Sequence, residues 1–530
     1  MTAAAPIDEG GGPARLTGSQ LRLLLATAAL SSAAGLVLEL LLVTQASYLA
    51  GDAALATGVV VGTFLAAMGL GAWLSQFVAP GVRPRRGLLR AFLLVELGLV
   101  PLCLLGPLAL FALFAAEAPL WPAVVLLTLA VGVLGGMELP ILTRLLEQQQ
   151  QVRTALARAL ALDYLGALVG SLLFPLLLLP WLGLLPTAAV LALVPLSCAA
   201  LLSWFFAELR PWRWLVTALL PLVGLAGLLL APLEGRIEDQ FYADPVIGRL
   251  QTRFQRIVLT RRRNDLRLYL DGSLQFSSLD EYRYHEALVH PAMALQGRPR
   301  RVLLLGAGDG LALREVLRWP GLERVDLVEL DPAMLRLARH QPFLRRLNRA
   351  SLEDPRLRLH VGDAFALTGP LPGRLPGPLL GRYDVVVADF PDPDTPAVAR
   401  LYSVAFYGRL LQRLAPDGLI VTQASTPFFA PKVMASIEAT FQTLGLETRP
   451  YIVDVPSFGP WGFVIARRPG QPKRAPLLPF RGRWIDQAQL THLFSLPRDL
   501  RPAPGETVEA NRLSRPVLVP YQRQSRWREG

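Results

Sequence analysis

The chain has 530 residues, 52% of them hydrophobic, and a formal net charge of +12, with a mean hydropathy of +0.39. That length argues against a single ordinary domain, and that hydropathy against a purely soluble protein. The basic balance admits nucleic acid or an anionic membrane surface, but no basic stretch is interleaved with aromatics as a strand-binding groove would need, so no nucleic-acid partner is expected.

Residues 1–20 read as an N-terminal tail. From Leu21 to Pro232 runs of Leu, Ala, Val and Gly dominate, whereas charges are frequent from Glu234 onward. Crossing the hydrocarbon core takes ~20 apolar residues, so residues 21–233 divide into about seven spans of a transmembrane helix bundle. Breaks are expected near Gly51, at Gly81 to Arg86, around Glu117 to Pro119, at Gln148 to Arg158, around Pro180 to Pro186 and at Glu208 to Arg213. The first run is too long for the apolar part of a signal peptide and reads as a retained span.

Arginines gather at alternate breaks (Arg83, Arg85, Arg86, Arg90; Arg144, Arg153, Arg158; Arg210, Arg213). This pattern places the N-terminus in the cytoplasm of a multi-pass cell-membrane protein. Cys103 and Cys198 lie inside apolar runs, so neither a disulfide framework nor a cysteine metal site is indicated. Glu39, Glu96, Glu138 and Asp163 fall within apolar stretches; an intramembrane carboxylate is costly, which suggests a function, while hydrogen bonding to a neighbouring helix is the structural alternative.

Beyond the bundle, residues 234–297 form a β-rich segment. FQRIVLT from Phe254, LRLYLDG from Leu266 and SLQFSS alternate like strands around a turn at Asp271-Gly272, a small hairpin subdomain. Residues 298–469 read as a Rossmann-like α/β domain. Arg301 to Leu305 is a buried strand entering GAGDG (Gly306 to Gly310), and LALREVLRW continues as a helix. Further strands at Arg324 to Leu330, Leu357 to Val361, Asp384 to Phe390 and Gly418 to Gln423 alternate with helical stretches, which predicts a mainly parallel, doubly wound sheet. Residues 470–530, rich in Pro and Arg, read as a mostly irregular tail packed on that domain.

Glycines at Gly306 and Gly308 let the backbone approach a ligand, and Glu329 at the end of the second strand is placed to accept hydrogen bonds from ribose hydroxyls. Such a turn alone fits dehydrogenases and methyltransferases too. The excess of acids at the strand tips is more specific: Asp309, Glu329, Asp363, Asp389 and Asp392 should converge on one crevice. The ligands should be cationic, since Asp309 would repel a pyrophosphate and attract a sulfonium bearing a free amine.

From about Phe254 to Arg467 the chain resembles the spermidine synthase family of polyamine aminopropyltransferases. The resemblance rests on LYLDGSLQ, DEYRYHEALVHP, VLLLGAGDGLALREVL, VELD, GDA and YDVVVADFPDP in order. The N-terminal half is similar to the membrane segment fused to some members, in GLVLELL, GMELPILTR and DYLGALVGSLLFPLLLLPWLG. The resemblance implies transfer of a propylamine group from decarboxylated S-adenosylmethionine, a co-substrate, to putrescine, with no cofactor and no metal, and it allows a homo-oligomer.

By the same resemblance Gln255, Glu329, Asp363 and Ala364 contact the methylthioadenosine part of the donor, with Glu329 on ribose and Asp363 on the adenine amine. Asp309, Tyr284, His285 and Asp392 line the amine channel, Pro396 closes over the nucleoside, and Asp389 is the proton acceptor. The chemistry is consistent: an amine with a pKa near that of Lys (~10.4) must lose a proton to attack the carbon beside a sulfonium.

The sequence departs from the family at Ala307 and Leu311, where Gly is usual, at Phe390 and Pro391, where small hydroxyl residues are usual, and at Phe458, which stands where a Tyr is frequent; the last puts the acceptor amine in question. His285 and His290 flank Glu286 one residue too far apart for a zinc helix, so their rings should point apart. His340, His360 and His492 are read as without a role. A class I methyltransferase would share this fold, and a membrane polyamine transporter or sensor with a non-catalytic nucleoside-binding domain would use Glu39, Glu138 and Asp163 as a cation path. A nucleotide-derived donor is expected on the cytoplasmic side. Seven spans with a cytoplasmic N-terminus would carry the catalytic half across, and a re-entrant stretch around the prolines after Ser171 would restore an even number.

Overall fold

The computed structural model describes residues 16–50, 53–79, 84–116, 118–147, 152–239, 242–369, 381–471, 475–500 and 507–523. The chain divides into two compact units, Met1–Ala243 and Asp244–Gly530. The expected breaks at Gly51, Gly81, Glu117 and Gln148, and Arg83, lie outside the described residues.

The first unit is helical: α1 (Gly18–Ala50), α2 (Ala53–Leu74), α3 (Pro84–Ala115), α4 (Leu120–Glu147), α5 (Val152–Leu173), α6 (Leu179–Leu182), α7 (Leu184–Phe205) and α8 (Arg213–Asp239). Among the described residues seven helical stretches are long and apolar enough to cross a membrane. The stretch after Ser171 is helical through its prolines. A π-helical turn, Phe174–Leu178, links α5 to α6 without a break, and the chain turns only at Gly183, whose φ of 83° suits glycine. A π turn absorbs the missing Pro175 N–H and lets the helix run on. The last helix also runs past the apolar stretch to Asp239, through Gly235.

Glycines set the helix contacts. A side chain at Gly166 would strike the Ala29 carbonyl and one at Gly136 the Met68 carbonyl, close approaches of the kind small residues permit. Positions Gly98 and Gly106 of α3 face Leu134 and Leu127 of α4, an antiparallel register that puts Glu96 level with Glu138. Ser31 Oγ donates to Glu96 Oε1 at 2.7 Å, and Glu96 Oε2 and Glu138 Oε1 are buried with no hydrogen-bond partner among the described residues. Ser32 donates to the Asp163 carbonyl, and Glu39 is buried.

The second unit opens with four antiparallel strands, β1 (Val246–Gln251), β2 (Arg256–Arg262), β3 (Asp265–Leu270) and β4 (Ser273–Ser277), a fuller sheet than the expected hairpin. Then come α9 (Glu281–Gln296), β5 (Arg301–Gly306), α10 (Leu311–Val316), β6 (Arg324–Glu329), α11 (Pro332–His340), α12 (Pro342–Leu347), β7 (Leu357–Val361), α13 (Ala364–Thr368), β8 (Tyr383–Asp389), α14 (Pro396–Ala399), α15 (Val404–Arg413), β9 (Leu414–Gln423), α16 (Pro431–Thr443), β10 (Glu447–Val455) and β11 (Gly459–Arg467). The tail adds α17 (Gln487–His492) and α18 (Leu518–Arg523).

β5 to β11 form one sheet in the order β10-β11-β9-β8-β5-β6-β7. The strands from β7 to β9 are parallel, and β10 and β11 run antiparallel at one edge. Both faces are covered. Val302, Leu304, Val385 and Val387 pack with α9 and α10 on one side; Leu303, Leu305, Val386 and Ala388 pack with α15 and α16 on the other, as period-2 alternation in a doubly wound sheet requires.

Candidate active site

The parallel register brings the acidic strand ends to one edge. Gly306 pairs with Asp389, and Glu329 pairs with Val361, two residues before Asp363. The chain reverses direction across the sheet at β5, whose neighbours are β6 and β8, and such a switch point opens a crevice beyond the strand ends.

The glycine turn is built for close approach. Gly306 has φ 80°, and a Cβ there would strike the Asp389 carbonyl; a Cβ on Gly308 would lie 2.5 Å from the Glu329 carboxylate. Ala307 takes φ 60°, a conformation costing about 1 kcal/mol for an L side chain. Asp309 turns its carboxylate onto the Leu311 N–H at 2.9 Å, and burial raises its pKa.

On the β6 side, Glu329 accepts from the Asp331 N–H at 2.9 Å, and burial, with Asp331 and Asp309 nearby, raises it to about 7. Gln255 donates to Asp331 at 3.2 Å, which brings it beside Glu329. Asp363 caps α13 by accepting from the Phe365 N–H and receives Arg400 at 3.0 Å. Ala364 is buried behind it, and Pro396, the first residue of α14, is exposed.

On the β8 side, the Tyr284 hydroxyl donates to Asp389 Oδ1 at 2.7 Å. Burial lifts Asp389 to about 6, with His285 opposing and Asp309 adding to the shift. His285 Nδ1 lies 2.9 Å from Glu281 Oε2; burial works against its charged ring, but Glu281, with Asp309 and Asp389 beyond, raises it to about 9. Arg314 grips both Glu281 oxygens at 2.9 Å. Asp392 accepts from Ser425 and Gln522 and faces Gln423. Tyr284 has Phe458 and Trp461 edge-on at 6.2 and 6.3 Å, and Asp280 pins the Ser457 backbone at 2.6 Å. The turn carrying Phe458 is thereby held against α9.

Asp309, Glu329, Asp389, Asp392, Tyr284, His285 and the glycine turn thus share one edge, with Gln255 and Asp363 flanking it. The Phe390 ring packs on Tyr402 and Phe406 in the core, while its carbonyl accepts from Gln423 at 2.9 Å. The sequence reading missed Glu281, Arg314, Arg400, Gln423, Ser425 and Gln522. Glu281, at a helical i, i+4 spacing to His285, was the one with a local signal.

No zinc helix forms from His285 and His290. Glu286, His290 and Glu315 do converge, but Arg318 lies 2.7 Å from Glu315, Glu286 takes the N–H groups of Arg483, Trp484 and Ile485, and Trp319 donates to His290 Nδ1. An Arg already fills the cationic place in this cluster, which ties the tail to α9.

Residues 281–473 match the spermine/spermidine synthase domain. Polyamine aminopropyltransferase 1 of Streptomyces coelicolor is 42% identical over 528 residues, 96% of this chain and 95% of that one. Polyamine aminopropyltransferase of Mycobacterium tuberculosis is 40% identical over 517 residues, 94% of this chain and 95% of that one. A crystal structure of spermidine synthase in complex with the transition state analogue AdoDATO is 23% identical, covering 48% of this chain and 88% of that chain with a TM-score of 0.43.

Proposed function

The chain belongs to the polyamine aminopropyltransferase family, and from that premise we propose that it moves the propylamine group of decarboxylated S-adenosylmethionine to putrescine, giving spermidine and methylthioadenosine. The observation that carries this reading is Asp389 at the tip of β8, level with the glycine turn and hydrogen-bonded by Tyr284.

In this reading Glu329 and Gln255 take the ribose side of the donor, Asp363 and Ala364 the adenine side, and Pro396 covers the nucleoside. Asp309 faces the donor's own ammonium. Tyr284, His285 and Asp392 line the acceptor channel, and the Phe458 and Trp461 rings offer an apolar wall to its methylenes. The acceptor nitrogen attacks the carbon beside the sulfonium, the C–S bond breaks in line, its electron pair stays on sulfur in methylthioadenosine, and the nitrogen's proton passes to Asp389.

An ammonium at ~10.4 yields a proton to a carboxylate at about 6 at a cost near 6 kcal/mol in water. Desolvation of the ammonium in the channel narrows that gap. The seven long apolar helices among the described residues support a multi-pass membrane protein, and a nucleotide-derived donor favours a cytoplasmic catalytic unit.

The test is a donor comparison with the purified full-length protein in detergent. The decarboxylated donor is expected to be preferred by orders of magnitude, because the undecarboxylated form sets a carboxylate against Asp309. Asp389→Asn is expected to lower kcat by about 10²–10⁴ with methylthioadenosine affinity nearly unchanged. Equal use of both donors, or near-normal turnover by the variant, would overturn the reading.

A further inference from the structure

A side chain that holds Asp392 comes from α18, beyond residues 281–473 that match the family domain. Gln522 Nε2 donates to Asp392 Oδ2 at 3.0 Å, Ser425 Oγ reaches the same oxygen at 3.2 Å, and Gln423 Nε2 lies 3.4 Å from Oδ1. Gln522 Oε1 lies 3.3 Å from the same Ser425 Oγ, whose one proton is shared between the two acceptors.

The segment that delivers it is anchored, not draped. Leu518 and Val519 of α18 are buried in the core that includes Val433 and Ile437. Lys432 sits over the Tyr521 ring at 5.9 Å. Upstream, Asn511 donates to the Ala399 carbonyl at 2.7 Å, its own carbonyl accepts from the Val404 N–H, and its N–H reaches Thr440. These bonds fix the segment against both ends of the region from α14 to α15, next to Pro396.

A carboxylate offers about four acceptor positions. Gln423 Nε2 lies closer to the Tyr402 hydroxyl, at 2.6 Å, and to the Phe390 carbonyl, at 2.9 Å, than to Asp392, and Ser425 has one hydroxyl proton for two acceptors, so Gln522 is the firmest partner of Asp392. Positions remain on the carboxylate for an incoming ammonium, and in the aminopropyl-transfer reading the bulk of Gln522 beside it bears on how far a diamine can reach.

We propose that Gln522 is a specificity-determining residue of the acceptor site, supplied by the C-terminal helix, which fixes Asp392 and sets the length of diamine accepted. This rests on the aminopropyl-transfer reading. Steady-state kinetics of the full-length protein with the decarboxylated donor and either the four-carbon or the five-carbon diamine test it.

Gln522→Ala is expected to raise KM for the four-carbon diamine about tenfold, with kcat and methylthioadenosine affinity changed far less, as loss of a hydrogen bond to a charged group predicts. It should also shift the kcat/KM ratio toward the five-carbon diamine by about tenfold or more, the worth of one methylene of pocket space. Gln522→Met, of similar volume but without the amide, should raise KM and keep the length preference. Wild-type turnover of diamines with both variants unchanged in KM and in preference would overturn this proposal alone. Absence of diamine turnover by the wild type would overturn the aminopropyl-transfer reading and this proposal with it.

Discussion

Asp389 and Asp392 stand at the tip of one strand and answer to different neighbours. Burial raises both to about 6, but Asp389 is opposed by the charged His285 and by Tyr284, whereas Asp392 is opposed by Ser425, Gln423 and Gln522. A proton acceptor must be ionised, so kcat/KM is expected to rise with pH up to about 6 and then level, an acid limb that pH-rate measurement would reveal and that Asp389→Asn should abolish. The sign for stability is the reverse. The folded state keeps its proton on Asp389 where the unfolded chain has lost it, so this group's contribution falls as pH climbs from its unfolded value of 3.8 to about 6. Asp389→Asn should therefore melt higher than wild type at pH 8, by up to ~3 kcal/mol, with the difference fading below pH 4. These acids were legible in the sequence because strand ends and a glycine turn announce their positions. Gln522 was not, since it meets Asp392 across 130 residues of chain and sits in a tail without periodicity.

The turn between β5 and α10 shows what glycine contributes where two elements nearly touch. Because a Cβ at Gly308 would fall 2.5 Å from the Glu329 carboxylate, Gly308→Ala must displace that carboxylate. Its expected effect is a loss of methylthioadenosine affinity of about tenfold or more, with the circular dichroism spectrum unchanged. Unaltered affinity in a titration would show that Glu329 does not hold the nucleoside. The strand-turn-helix pattern here was plain in the sequence, as were the strands from β5 to β9, because buried parallel strands read as continuous apolar runs. β10 and β11 escaped notice because Pro450 and Pro460 interrupt them, and proline argues against a strand unless it lies at an edge or bulge. β1 is short, carries Gly248 and shows little burial, so no alternation marked it. In the helical unit the spans were visible as apolar windows, but the contact of Gly166 with the Ala29 carbonyl has no counterpart in any window.

Seven apolar helices place the two ends of the chain on opposite sides of a membrane if each one crosses. The arginines at alternate helix ends favour a cytoplasmic N-terminus, while the donor favours a cytoplasmic catalytic unit; both hold only for an even number of crossings. Reporters fused to Met1 and to Gly530 are expected to report the cytoplasm at both ends, as the arginines and the donor together require; opposite compartments would mean that all seven cross. The same compartment at both ends would mean that one of the seven does not span. The sheet order adds a temporal consequence to the position of Gln522. A ribosome delivers the membrane helices first, then β5 at the middle of the sheet, then strands further toward both edges, and Gln522 after all of them. The apolar helices are thus made before the site is whole, and a product ended by a nonsense codon between Asp392 and Gln522 would carry every acid of the site and lack the amide that holds Asp392.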